Sequence, residues 1–244
     1  DTLALADSTD GQAIKDWRNA GFAEADILAA LQKKKGNTTT SSFLVNDPAI
    51  NPGALAAAFE SSGRPEAIGY DKVGGKSYGV YQLARGTAET FVMTTPFASA
   101  FMGLKVGTAA FDTAWAKTAK ENPEEFATAQ HDYIQQSHLF PQLGKLSQAG
   151  FDVSKYSPVL MNVIFSTAVQ HGANTNIIAK AFRDVGNAAD EAALIKKIYE
   201  YRWSGGASFK SSTDAVKKAV YNRFFGKNGE LKKALGWLKT RIFG

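Results

Sequence analysis

The chain has 244 residues, 44% of them hydrophobic and 21% charged, and no cysteine; this excludes a disordered tail, a disulfide-stapled miniprotein and a zinc-thiolate module. That length suits one large domain, or one with a small appendage, and is enough for a sizeable core. The net charge of +5 is uneven: residues 210–244 hold nine Lys and Arg against two acids, whereas residues 1–209 hold 19 against 21. Such asymmetry points to an acidic polymer as partner: nucleic acid, an anionic membrane or an anionic cell wall. The most apolar stretch, Val159 to Val169, is broken by Asn162, Ser166 and Thr167, so no transmembrane segment is expected. The start, Asp1 to Asp7, lacks an initiator Met and a basic segment, and reads as a piece of a longer chain or a processed product.

In chain order, Ile14, Trp17, Ile27, Leu28 and Leu31, with Gly21 between them, predict two short helices over 10–35. A polar linker follows over 33–42. Residues 1–42 are therefore expected to be a helical appendage packed on a main domain over 43–244, since 42 residues are marginal for a core of their own. Leu55, Ala58 and Phe59 predict a helix from Pro52 to Ser61, with Gly63 just past its end. Ala67–Asp71 and Ser77–Leu83, rich in Tyr, Ile and Val, flank Gly74-Gly75 in the pattern of a β-hairpin.

Past Thr87 the punctuation is helical almost throughout. Asn122-Pro123-Glu124-Glu125 supplies a cap, a Pro at the first helical position and a Glu at the third, for a helix running to Gln135. Ser157-Pro158 opens a helix over about 158–170 that is apolar all round, which marks it as central. Further helices are predicted at 174–184, 189–203, 212–225 and 230–242, the last with Leu231, Leu235, Leu238 and Ile242 on one stripe. The fold class is α+β, mostly α.

Glu60 ends a helix otherwise made of Ala, Leu and Phe and directly precedes the hairpin. A carboxyl held among apolar neighbours is disfavoured as an anion and keeps its proton more readily, as a general acid must. An arbitrary Glu near a helix end more often faces solvent, so its context has to carry the assignment. That context is Phe59-Glu-Ser-Ser-Gly-Arg-Pro-Glu-Ala-Ile-Gly-Tyr-Asp71 followed by Gly74-Gly-Lys-Ser-Tyr-Gly-Val-Tyr-Gln82. It resembles the catalytic segment of lysozyme-like peptidoglycan glycosidases, the superfamily of lysozymes and lytic transglycosylases. Downstream, Gln130-His-Asp-Tyr-Ile134 with His138 and Pro141, Ala168-Val-Gln-His-Gly172 and Ile198-Tyr-Glu-Tyr-Arg202 are similar to later helices of phage lysozymes and chitosanase-like enzymes. Over about 50–240 the chain most resembles the lysozyme domains of type VI secretion effectors such as TseP.

The resemblance implies a lysozyme-like fold, a helical lobe and a small hairpin lobe flanking a saccharide cleft. It implies a bacteriolytic muramidase that needs no cofactor, with Glu60 as general acid. Either stereochemical course of glycoside hydrolysis uses a second carboxylate; Asp71, at the end of the first hairpin strand, is the candidate, and Glu66 beside Pro65 the competitor. Without a second carboxylate the same bond would be cleaved by a lytic transglycosylase, although Gly79-Val-Tyr-Gln82 departs from the Gly-Leu-Met-Gln often seen there. A noncatalytic glycan-binding module is the alternative of another class. Sugars offer hydroxyls to polar groups and ring faces to aromatics, so Ser77, Tyr78, Tyr81, Gln82, Gln170 and His171 are the candidate substrate contacts, with Tyr70 as a further hairpin aromatic. For the tyrosines, packing into the core is an equal alternative. Arg202 is expected to tie down its neighbours.

The expected partners are peptidoglycan strands, together with the remainder of a larger effector chain or a cognate immunity protein. The expected location is secreted, acting in the periplasm or cell wall of a target bacterium. His131 and His138 share a helix face but bring no ligand pattern, so no metal site is predicted. No phosphate-binding fingerprint or nucleic-acid fold signature occurs, so nucleic acid is not an expected partner. The lysines after 210 read first as the polar faces of two core-packed helices, with attraction to the wall as a consequence.

Overall fold

The computed structural model describes residues 48, 49, 51–71, 75–186 and 190–242, with backbone alone at 71, 241 and 242. The helices and linker expected over 10–42 lie outside the described residues, as does the hairpin tip at 72–74. The described chain forms two compact units, divided between Gln136 and Ser137.

The first unit contains α1 (Ala54–Glu60), β1 (Ile68–Asp71), β2 (Gly75–Tyr78), β3 (Leu83–Ala84), α2 (Arg85–Thr94), α3 (Ala109–Glu121) and α4 (Pro123–Ile134). Its sheet is antiparallel in the order β1-β2-β3, with Ile68 opposite Tyr78, Gly69 opposite Ser77, and Tyr78 opposite Leu83. The short third strand was not anticipated; two residues carry no alternation to read. The core is aromatic. α3 buries Phe111, Trp115, Thr118 and Ala119, one helical stripe, and the Trp115 ring lies 4.8 Å from Phe126, 5.1 Å from Tyr78 and 5.6 Å from Phe91 between centroids. Pro123 opens α4 as expected, but the Asn122 side chain does not cap it: Nδ2 donates back to the Thr118 carbonyl of α3 at 3.3 Å. A π turn, Gln135–Leu139, follows α4. Pro141, which has no N–H to donate, begins the next helix and accounts for the break in regular pairing.

The second unit contains α5 (Phe140–Gln148), α6 (Pro158–His171), α7 (Ile177–Val185), α8 (Glu191–Trp203), α9 (Asp214–Phe225) and α10 (Glu230–Ile242). α6 is its centre, with nine residues buried between Val159 and Ala168. Ser157 caps it: Oγ accepts from the Val159 N–H at 3.1 Å and donates to Glu191 at 2.5 Å, which ties the start of α6 to the start of α8. α10 begins and ends where predicted, yet the line it buries is Glu230, Ala234 and Leu238, with Leu231 and Leu235 half-buried beside it. The stripe is rotated because Glu230 is drawn inward. Its carboxylate accepts from Arg202 at 2.8 Å, Arg223 at 2.6 Å, Tyr199 at 2.9 Å and Ser166 at 2.9 Å. Burial pushes that carboxyl up, but the two guanidinium groups outweigh it and hold it below the usual range. Arg202 is fully buried, its guanidinium over the Tyr199 and Phe224 rings, so it ties its neighbours together as expected.

Candidate active site

Glu60 is the last residue of α1, half-buried, on a helix that buries Ala54, Leu55, Ala56 and Ala57. The chain reverses immediately after it through Ser62 and Gly63, both with positive φ, while the Gly63 N–H returns to the Ala57 carbonyl at 3.1 Å. Ser61 is the joint. Its Oγ donates to the Val80 carbonyl at 2.8 Å and accepts from the Arg64 N–H at 3.1 Å, so the residue after Glu60 is bonded to the turn that follows the hairpin.

That turn, residues 79–82, is held from behind by α4. Gln130, fully buried, accepts from the Val80 N–H at 2.8 Å and donates to the Pro65 carbonyl at 3.3 Å, which also receives the Trp115 indole N–H at 2.9 Å. Gly79 has φ +77°, and a Cβ there would lie 2.0 Å from Gln130 Oε1. Glycine is therefore required on both conformational and steric grounds. Together Ser61, Gln130 and Trp115 tie the segment that directly follows Glu60, at residues 61 and 65, to the 79–82 turn and to α3 and α4, the support a positioned carboxyl needs.

Ser77 and Gln82, both candidate sugar contacts, bond to each other. Ser77 Oγ donates to Gln82 Oε1 at 2.7 Å, and Gln82 Nε2 donates to the Gly79 carbonyl at 2.9 Å. Both pack on Gly69, where a Cβ would stand 2.2 Å from Gln82 Oε1. Asp71 closes β1, its Cα opposite Gly75. Glu66 is exposed, and Tyr70 is 75% exposed on β1, the aromatic of this hairpin that is open to a ligand.

Tyr78 and Tyr81 depart from the expected sugar contacts, because the structure places both rings in the core. Tyr78 is wholly buried; its hydroxyl donates to Asp112 at 2.8 Å and accepts the Gly107 N–H at 3.1 Å. Lys76 pairs with the same carboxylate, which fastens β2 to α3. Tyr81, also buried, hydrogen-bonds His131 Nδ1 at 2.7 Å, and both lie against Gly53, where a Cβ would meet the Tyr81 hydroxyl at 2.3 Å. Burial pushes both phenols up and pushes His131 down to about 4, leaving a neutral imidazole.

Gln170 and His171 belong to the second unit, at the end of α6. Gln170 Oε1 accepts from Arg202 at 2.6 Å, so it is a member of the Glu230 cluster. His171 packs edge-on to Phe209 at 5.9 Å, and burial followed by the Arg202 charge lowers it to about 4. Among the described residues no three His, Asp or Glu side chains group as a metal site, and no helix is long and apolar enough to cross a membrane.

Residues 52–228 match the family model described as Type VI secretion system spike protein VgrG3-like, C-terminal. The chain is 32% identical over 180 residues to the type VI secretion system spike protein VgrG3 of Vibrio cholerae serotype O1, a match that covers 69% of this chain and 18% of that much longer protein. Among solved structures it resembles the Gynuella sunshinyii GH46 chitosanase GsCsn46A in complex with chitotetraose, with a TM-score of 0.54 and 15% identity over 84% of this chain and 91% of the other. That likeness shows a lysozyme-like fold, mostly helical with a small antiparallel sheet.

Proposed function

The chain belongs to the type VI secretion system spike protein VgrG3-like C-terminal family, and from that premise we propose that it is a peptidoglycan glycosidase, a muramidase that cuts the β-1,4 bond between N-acetylmuramic acid and N-acetylglucosamine. The observation that carries the reading is Glu60 at a helix end, joined through Ser61 to the 79–82 turn and held from behind by Gln130. Glu60 gives its proton to the glycosidic oxygen as the bond to the anomeric carbon breaks. A water adds to that carbon and passes its proton to Asp71, the second carboxylate. Ser77 on β2 and Gln82 in the turn that follows, bonded to each other, offer polar groups to a sugar, and Tyr70 offers an aromatic face.

Charge supports murein over chitosan. Murein carries peptide carboxylates, chitosan is a polycation, and the basic surplus of residues 210–244, nine Lys and Arg against two acids, favours the anionic polymer. The family supports an effector module that is part of a larger spike protein; its proposed place of action is the periplasm or cell wall of a target bacterium, with a cognate immunity protein as a further proposed partner.

The test is clearing of a murein suspension by the wild type and by Glu60→Gln, which keeps shape and removes the acid. Loss of a general acid costs about 10²–10⁴ in rate. Equal clearing by the two proteins would reject the role of Glu60, and binding without clearing by the wild type would make the chain a glycan-binding module.

A further inference from the structure

The second unit carries a feature that the reaction at Glu60 does not use. α8 ends at Trp203, and the next three residues, Ser204, Gly205 and Gly206, all have positive φ, so the chain turns away abruptly and leaves an open groove of about 560 Å³ against α9. Such a volume lies within the ~300–1,000 Å³ of ordinary ligand sites. Trp203 and Tyr221 form its aromatic corner, edge to face with centroids 5.3 Å apart, and Tyr221 is 47% exposed. Phe209 stacks on Trp203 at 6.2 Å and fixes the indole. Three lysines, Lys210, Lys217 and Lys218, complete the lining, which contains no acid. Beside the lining, Lys217 pairs with the fully exposed Asp214 at 3.7 Å.

The geometry points to a second, noncatalytic binding site here for a carboxylate-bearing glycan, namely a murein strand. A fixed aromatic corner suits the apolar face of a sugar, and lysines beside it suit the stem-peptide carboxylates that murein carries along its length. An open groove accommodates a polymer passing across it. None of the lining residues comes from the unit that holds Glu60, so the site serves to retain the strand. The choice of murein as the anion rests on the proposed function; the existence of an anionic-glycan site does not.

The experiment is co-sedimentation with purified sacculi from a Gram-negative bacterium, which lack teichoic acid, in a Glu60→Gln background so that the polymer is not consumed. Replacing Lys210, Lys217 and Lys218 together by Gln is expected to lower the bound fraction at least fivefold and flatten its dependence on salt. Tyr221→Ala is expected to weaken binding while keeping that dependence. The control replaces Lys105, Lys117 and Lys120, exposed lysines of the first unit, and is expected to bind like its parent. Melting temperatures of all variants, matching the parent's, show that each is folded. Equal losses in control and groove variants would reduce the effect to net charge and overturn the site. Unchanged binding by the groove variant would overturn it as well, and tighter groove-dependent binding to a DNA oligomer than to sacculi would overturn the glycan assignment. Groove-dependent binding by a wild type that releases no fragments would uphold the site while rejecting the reaction assigned to Glu60.

Discussion

At Glu60 the chain leaves a helix, reverses within three residues and is bonded through its neighbour Ser61 to a turn some twenty residues on. Glu60 stands out in the sequence as an acid that ends an Ala-Leu-Phe helix before a hairpin, and its role as general acid is the proposed one, carried by what that segment resembles. Gln130 and Trp115 as supports of that turn were not legible there, since their partners are backbone groups at Val80 and Pro65 that no local pattern announces. Tyr78 and Tyr81 misled for the converse reason: a Tyr on a short hairpin looks the same whether a sugar or a helix covers it. The buried His131 carries a pH prediction. Its folded-state value of about 4 lies below the ordinary 6.5, so its contribution is fully present above pH 6.5 and is lost as pH falls from 6.5 towards 4. At ~1.4 kcal/mol per unit this amounts to about 3 kcal/mol. Urea unfolding at pH 7.5 and pH 4.5 is expected to show it, and His131→Gln to reduce the difference; a variant with the wild-type pH dependence would show that other groups govern acid stability.

Among the elements, helix ends were read within about two residues where Pro, Ser or Gly punctuated them, as at Ser157-Pro158 before α6. The inward rotation of α10 was hidden because an acid normally marks the outer face; only its two guanidinium partners, from α8 and α9, make Glu230 an interior residue. Glu230→Ala is expected to destabilise the second unit by about 3–5 kcal/mol, since Arg202 would be left buried without its carboxylate. Thermal unfolding checks this, and a melting temperature near that of the wild type would mean the cluster is not a support. In the first unit the decisive small element is the 79–82 turn. Gly79→Ala forces a side chain into a left-handed backbone at a cost of ~1–2 kcal/mol before any clash with Gln130 is counted. Gly86→Ala, in α2 with open space around its Cβ position, is expected to be neutral or stabilising. Calorimetry should therefore show a lowered melting temperature for Gly79→Ala and no lowering for Gly86→Ala, with murein clearing reduced only in the first.

Across the whole molecule, the uneven charge first read as a property of the C-terminal helices has a more definite place in the structure. Lys232 and Lys239 lie exposed on α10, as the helical pattern implied, but Lys210, Lys217 and Lys218 gather beside Trp203 and Tyr221. Sequence could not bring them together, because the turn that does so depends on three successive positive-φ residues after α8. The chain belongs to a type VI spike protein C-terminal family and has a lysozyme-like fold; an anionic murein strand as the polymer it meets is the proposal that these lysines support. The central claim is that Glu60 drives hydrolysis of murein, and mass spectrometry of fragments released from purified sacculi tests it most directly. Wild type is expected to release muropeptides ending in reducing N-acetylmuramic acid, while Glu60→Gln releases none; 1,6-anhydromuramic ends, or the same products from both proteins, would contradict the account.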